Sequence, residues 1–128
     1  MNEYKFIVEK GTADIKGDTI ILSGLMLPTI KVKVYDAGHK VAGYVKVFIE
    51  DGLLMAQGYI LDGFENHYPS VGYYSIVSKQ NKTGGRYILQ SRLICIAVSN
   101  EPNADPDIKR INEQQKTRMV KTSGFLNL

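Results

Sequence analysis

The sequence predicts a single, mainly β domain: a small β-barrel of about six or seven mostly antiparallel strands with little helix. Three observations predict this class. Apolar and polar residues alternate with a period of two through most of the chain, and short runs of glycine, asparagine and aspartate separate the alternating segments. The 128 residues, 44% apolar and 23% charged, also have the length and composition of one globular domain.

The first predicted strands lie in the N-terminal third. Tyr4, Phe6 and Val8 fall on one face of an extended segment. Residues 30–35 repeat this alternation, with isoleucine and valines on one face and lysines and a tyrosine on the other. Such alternation is typical of a strand with one buried face.

The clearest local signal is the dipeptide Asp51-Gly52 between two strand-like runs. Aspartate followed by glycine favours the tight turn whose twist matches that of the flanking strands. We therefore predict a β-hairpin over residues 42–60.

A second hairpin is predicted further along the chain. Residues 71–78 and 86–98 are rich in strand-forming residues, and residues 81–85 form a turn of asparagine, lysine, threonine and two glycines. Residues 93–98 are apolar on both faces. We expect them to form a central strand that is covered on both sides.

Helix is expected in two places only. Residues 61–68 have room for one or two turns, and residues 108–120 predict a polar helix that begins after a cap at Asp107. Two prolines in residues 100–107 argue against helix or strand there. We therefore divide the chain into one domain over residues 1–107 and a polar basic tail over residues 108–128, which has five basic residues and one acidic residue.

Several classes of protein are not expected. No apolar run approaches the roughly 18 residues of a membrane span, and the N-terminus lacks the features of a signal peptide. The single cysteine, Cys95, permits neither an internal disulfide nor a cysteine-based zinc site. These features predict a protein that is neither secreted nor integral to a membrane.

Motifs for common cofactors are missing from the sequence. The patterns of phosphate-binding loops, dinucleotide sites, zinc proteases and EF-hands do not occur. The two histidines, His39 and His67, have no second metal ligand at a suitable spacing. Cys95 lies in an apolar run, where a thiol behaves as a small hydrophobic group. We expect no cofactor and no bound metal.

A series of short motifs occurs in a characteristic order. In chain order they are residues 11–14 (Gly-Thr-Ala-Asp), 17–21 (Gly-Asp-Thr-Ile-Ile), 24–28 (Gly-Leu-Met-Leu-Pro), 41–43 (Val-Ala-Gly), 50–54 (Glu-Asp-Gly-Leu-Leu) with Gly58, 74–76 (Tyr-Ser-Ile) and 93–103 (Leu-Ile-Cys-Ile-Ala-Val-Ser-Asn-Glu-Pro-Asn). Together they resemble the prohead protease family of tailed phages, over about residues 8–107. The resemblance implies a β-barrel like that of the herpesvirus assembly proteases.

The resemblance also implies candidate catalytic positions. Ser75 falls on the position of the family's nucleophile, whereas the position of its base falls on Asp36 and that of its third residue on Ile94. A serine needs a neighbouring base to become nucleophilic, and the base needs an orienting partner. The resemblance therefore implies a member that has lost catalysis. The alternative is an active protease in which His39 serves as base for Ser75 and Asp36 orients it.

Three functions follow from these observations. The leading one is a non-catalytic, capsid-associated or assembly protein that binds capsid or scaffold subunits. We expect it to form a homo-oligomer or part of a virion assembly, and to be located in the virion or the host cytoplasm. Tyr68, Tyr73 and Tyr74 are its candidate binding residues. The second is an active maturation protease. The third, a small nucleic-acid-binding barrel, is disfavoured because the chain outside the basic tail has a slight negative charge.

Overall fold

Eight strands of one curled, open sheet make up most of the computed structural model, which describes residues 2–114. The mainly β class predicted from the sequence is confirmed. The strands are β1 (Asn2–Glu9), β2 (Thr19–Ile20), β3 (Leu25–Met26), β4 (Val32–Tyr35), β5 (Val41–Glu50), β6 (Leu53–Ile60), β7 (Tyr68–Gln80) and β8 (Arg86–Ser99). A 3₁₀ turn spans Leu22–Gly24, and residues 111–114 are helical.

Strand β8 is the centre of the sheet. Its one edge pairs with β7 along almost its whole length, and its other edge pairs in turn with β2, β3 and β4. The sheet continues from β4 through β5 and β6 to β1. The three pairings of β2, β3 and β4 with β8 are parallel, and the four longer ones are antiparallel.

The sheet curls into a half-barrel rather than a closed barrel. Strands β1 and β7 are its two ends and approach each other, but no ladder joins them within residues 2–114. The number of strands is thus slightly larger than the sequence predicts, because the two-residue strands β2 and β3 are too short to produce a pattern.

The predicted hairpin at Asp51-Gly52 is confirmed. Both residues have a positive φ, 53° and 75°, as the favoured two-residue hairpin turn requires. The turn sets the pairing of β5 with β6, which runs without a shift from Glu50 opposite Leu53 to Gly43 opposite Ile60.

The hydrophobic core fills the inside of the curl. It is formed by alternate residues of the strands, and its fully buried members include Phe6, Val34, Val45, Leu54, Ile60, Ile96 and Val98. Ile111 belongs to the same cluster, and its backbone N–H donates to the carbonyl of His67 at 3.0 Å. Residues 108–114, at the start of the predicted tail, therefore pack against the domain.

Of the two segments predicted to be helical, only the second contains helix among the described residues. Residues 61–67 form hydrogen-bonded turns, in which Phe64 N–H donates to Leu61 and His67 N–H to Phe64, without a helix. Of the helix predicted over 108–120, residues 111–114 are helical and residues 115–120 lie outside the described residues. Residues 100–107 contain neither helix nor strand, as their prolines predict.

One face of β8 is less covered than the sequence predicts. Strand β8 is central, but the side chain of Ile94 is 57% exposed. The pairing with β7 shifts here, because Gly72 faces Cys95 whereas the next residue, Tyr73, faces Leu93. Ile94 is thus an extra residue in a β-bulge, and its side chain points away from the core.

Candidate functional site

The structure does not bring Ser75 next to His39. Ser75 lies in β7 opposite Ser91, whereas His39 lies in the turn between β4 and β5. The last residue of β4, Tyr35, pairs with Ala97 of the same strand β8. At about 3.3 Å per residue, the stretch of β8 from Ser91 to Ala97 separates the two places by roughly 20 Å.

Asp36 is held by the turn in which it lies. Its Oδ1 accepts hydrogen bonds from the backbone N–H groups of Gly38 at 2.9 Å and Lys40 at 2.8 Å. His39, with φ of 64°, is exposed, and its N–H donates to the carbonyl of Asp36 at 3.0 Å. The carboxylate thus stabilises the loop backbone, and no hydrogen bond joins it to the imidazole.

The three candidate tyrosines do not form one cluster. Tyr68 and Tyr73 line a cleft between the ends of β1 and β7, and the guanidinium of Arg110 lies 5.0 Å from the ring centre of Tyr68. Tyr74 is 45% exposed and lies on the opposite face of β7 from Tyr73, since neighbouring strand residues alternate. The guanidinium of Arg92 lies 6.0 Å from the centre of the Tyr74 ring.

The cleft has a volume of about 300 Å³ and an acidic lining, which includes Glu9, Asp14, Asp18 and Glu101. Its carboxylates serve the local backbone: Asp14 Oδ1 accepts from the N–H groups of Lys16 and Asp18, and Glu9 Oε2 accepts from Gly11 at 2.7 Å. Among residues 2–114, no three ligating side chains lie close enough to hold a metal ion.

Burial of the Glu9 carboxyl raises its pKa above the ordinary value. Hydrogen bonds from the N–H groups of Gly11 and Lys10 act in the opposite direction, and the negative charges of Asp105 and Asp14 raise the pKa further. Removal of the carboxylate from water is the largest of these effects. The ionised form of Glu9 is therefore less stable in the folded protein than in water.

A different surface stands out by its exposure. We define the β7–β8 arm as residues 74–94, the outer parts of the two long strands and the turn that joins them. Twelve large apolar side chains are exposed in the described part of the chain, and six of them lie in this arm: Tyr74, Ile76, Val77, Tyr87, Leu89 and Ile94. Ile76, Leu89 and Ile94 occur where the pairing of β7 with β8 shifts. The bulges thus turn apolar side chains towards solvent.

The arm also has an open edge. The outer edge of β8 is covered, since Tyr87 pairs with Thr19 of β2 and Ser91 pairs with Leu25 of β3. No strand within residues 2–114 pairs with the outer edge of β7. An edge of this kind presents unpaired N–H and C=O groups, and most proteins protect such edges with charges, bulges or covering loops.

The charge of the arm is one-sided. Between residues 67 and 100 the chain has no aspartate or glutamate, but it has Lys79, Lys82, Arg86 and Arg92. The Arg86 guanidinium is partly compensated, because its Nε lies 3.8 Å from Asp18 Oδ1. The other three basic groups form no ion pair with any carboxylate of residues 2–114. The arm is therefore basic as well as apolar.

Comparison with family models, with curated proteins and with solved structures finds no match to this chain. The resemblance to prohead proteases consequently stays a prediction from the sequence motifs. The structure also contains no helix, within residues 2–114, with the length and apolar character needed to cross a membrane.

Of the arm, the sequence pointed only to Tyr74 as a binding residue, although more of the signal is present in the sequence. The absence of acidic residues between 67 and 100 can be counted directly. The exposure of Ile76 and Leu89 could not be anticipated, because both residues lie at bulges where the pairing of β7 with β8 shifts.

Proposed function

We propose that this chain is a non-catalytic, capsid-associated or assembly protein that binds a capsid or scaffold subunit through the β7–β8 arm. The observation that carries the proposal is the joint occurrence of an unpaired strand edge and six exposed apolar side chains in this arm. The class of partner comes from the resemblance of the sequence motifs to prohead proteases, whose substrates are subunits of this kind.

The positions of the candidate catalytic residues support a role without catalysis. About 20 Å separate Ser75 from the turn of His39, and the carboxylate of Asp36 already accepts two backbone hydrogen bonds. A serine without a base in contact with its hydroxyl is a weak nucleophile. Ser75 lies instead in the middle of the open edge strand.

The exposed apolar side chains and unpaired backbone groups of the arm support a binding role. An exposed apolar strand edge favours aggregation unless a partner covers it. Covering Ile76, Val77 and their apolar neighbours removes their surface from water, and a polypeptide that aligns with β7 also satisfies its unpaired backbone groups.

Co-expression with the capsid and scaffold proteins encoded in the same genome tests this function. The wild-type chain is expected to co-purify with one of them as a complex on size exclusion. Ile76→Glu places a charge on the arm, where the side chain is 49% exposed, and is expected to abolish the complex. Ile49→Glu is the matched control, because Ile49 is 46% exposed but lies on β5. Loss of the complex in both variants, or in neither, would contradict the proposal.

A nucleic acid is the second candidate partner. The uncompensated basic groups of the arm and the exposed rings of Tyr74 and Tyr87 are the observations that favour it, since a single strand binds through phosphate contacts and stacked bases. Retention on immobilised single-stranded DNA that falls steeply with salt would support this candidate.

A further inference from the structure

We infer that the segment which docks on the β7–β8 arm is an extended acidic polypeptide that adds to the open edge of β7 as a further strand. This inference rests on the proposed function and specifies its partner. The site is the outer edge of β7 from Tyr74 to Gln80, where every side chain is exposed.

The backbone of β7 provides the framework for such a strand. Its hydrogen bonds to β8 hold residues 74–75 and 77–80 extended on either side of the bulge at Ile76, so its outer edge offers two short stretches of a ladder. Seven residues at about 3.3 Å each give an edge of roughly 23 Å, which matches an ordinary strand. A docking segment therefore finds an ordered template, and only the segment itself loses conformational entropy.

The side chains of the arm define the apolar part of the specificity. Tyr74 and Val77 lie on the outer face, opposite Arg92 and Gln90 of β8. Ile76, which precedes Val77 in the chain, is 49% exposed at the bulge. A strand on this edge places every second side chain on that face, so apolar residues at alternate positions would contact these groups.

The charge of the arm decides which partner fits. Lys79, Lys82 and Arg92 have no carboxylate partner within the described residues, so acidic side chains on the docking strand would pair with them. A second copy of the arm carries the same basic residues and no acidic ones, and its approach would bring like charges together. The observations thus favour an acidic strand over self-association.

The same surface is less suited to a nucleic acid. Only two of the six exposed apolar side chains of the arm, Tyr74 and Tyr87, have rings on which a base could stack. The aliphatic side chains would gain little from phosphates and sugars, and a nucleic acid would leave the backbone groups of β7 without ladder partners.

Fluorescence anisotropy with the full chain tests the inference. Lys79 and Arg92 lie on the same face as Tyr74 and Val77, so the probe is a labelled ten-residue peptide whose alternate residues are glutamate, three valines and glutamate, with threonine between them. It is compared with the same peptide carrying lysine in place of glutamate and with the valine–glutamate peptide N-methylated at every residue. We expect saturable binding of the first peptide, at least about tenfold weaker binding of the lysine peptide, and loss of binding on N-methylation, because it removes the donors that a ladder needs.

Charge reversal provides the matched variants. Lys79→Glu combined with Lys82→Glu is expected to weaken binding of the valine–glutamate peptide by about tenfold. Lys33→Glu combined with Lys40→Glu changes the net charge equally at exposed positions on and beside β4, and is expected to leave binding unchanged. All four side chains are exposed, so both double variants should fold, which circular dichroism verifies.

Three results would overturn the inference. They are equal binding of the acidic and basic peptides, unimpaired binding of the N-methylated peptide, and tighter binding of an oligo-dT strand than of the acidic peptide. If any of them occurs while the capsid or scaffold complex still depends on Ile76, the proposed function stands and only the acidic strand is wrong. If the complex does not depend on Ile76, the proposed function itself fails.

Discussion

The side-chain amide of Gln114 bonds both backbone groups of Ile7 on the outer edge of β1. Its Oε1 accepts from the Ile7 N–H at 2.7 Å, and its Nε2 donates to the Ile7 carbonyl at 3.2 Å. The amide therefore takes the place of a neighbouring strand at one end of the sheet. At the other end, β7 keeps its outer edge free of any strand among residues 2–114.

The first prediction concerns this contact. Gln114→Ala removes both hydrogen bonds to Ile7, so we expect a loss of about 1 to 2 kcal/mol in the free energy of unfolding. Urea denaturation followed by circular dichroism measures it. Gln80→Ala is the control, because Gln80 is exposed on β7 and no hydrogen bond of its side chain is seen within residues 2–114. Equal stability of the two variants would show that the Gln114 amide does not hold β1.

The second prediction is a pH dependence at Glu9. Burial raises the pKa of its carboxyl, so the folded state binds this proton more tightly than the unfolded state. The associated stability is present below the ordinary pKa of glutamate and is lost as the pH rises through the raised folded pKa. In Glu9→Gln the side chain stays neutral and its carbonyl can still accept from Gly11.

We therefore expect Glu9→Gln to be more stable than the wild type at pH 7, with the difference shrinking towards about pH 4. Thermal unfolding of both proteins across this range measures the effect. A constant difference at all pH values would mean that the burial of Glu9 does not affect its ionisation.

The third prediction concerns the close approach of β5 and β6 at Gly58. A Cβ on Gly58 would lie 2.2 Å from the carbonyl oxygen of Tyr44, so Gly58→Ala must push two paired strands apart. We expect a loss of about 3 kcal/mol in the free energy of unfolding. Gly38→Ala is the control, since its Cβ would meet nothing closer than Asp36 Oδ1 at 3.5 Å. Wild-type stability of Gly58→Ala would contradict this pairing.

The fourth prediction concerns the hydroxyl of Ser75. Because neither His39 nor the carboxylate of Asp36 lies beside it, incubation with a fluorophosphonate should give the same intact mass for the wild type and for Ser75→Ala. A single adduct on the wild type that is missing from Ser75→Ala would instead reveal an activated serine. That result would favour the maturation protease over the binding protein.

The local features of the fold were predictable because local residues determine them. Asp51-Gly52 adopts the two positive φ angles that its hairpin needs, and the period-two runs around it became β5 and β6. The second hairpin followed in the same way from the glycine-rich turn at residues 81–85, which joins β7 to β8.

The features that decide the site were less predictable, because they depend on distant residues. Gln114 meets Ile7 across 107 positions of sequence. Tyr73 and Tyr74 are neighbours in the chain, but their side chains lie on opposite faces of β7. The sequence suggested that Ser75 could approach His39, and only the pairing of both neighbouring strands with β8 places them far apart.

Amide hydrogen exchange of the full chain, with and without the co-purified capsid or scaffold subunit, tests the docking site most directly. In the free chain, the amides of residues 74–80 that face the outer edge of β7 should exchange quickly. The bound subunit should slow their exchange and leave the exchange of the β5–β6 hairpin unchanged. Unaltered exchange across residues 74–80 in a formed complex, with protection elsewhere, would contradict it.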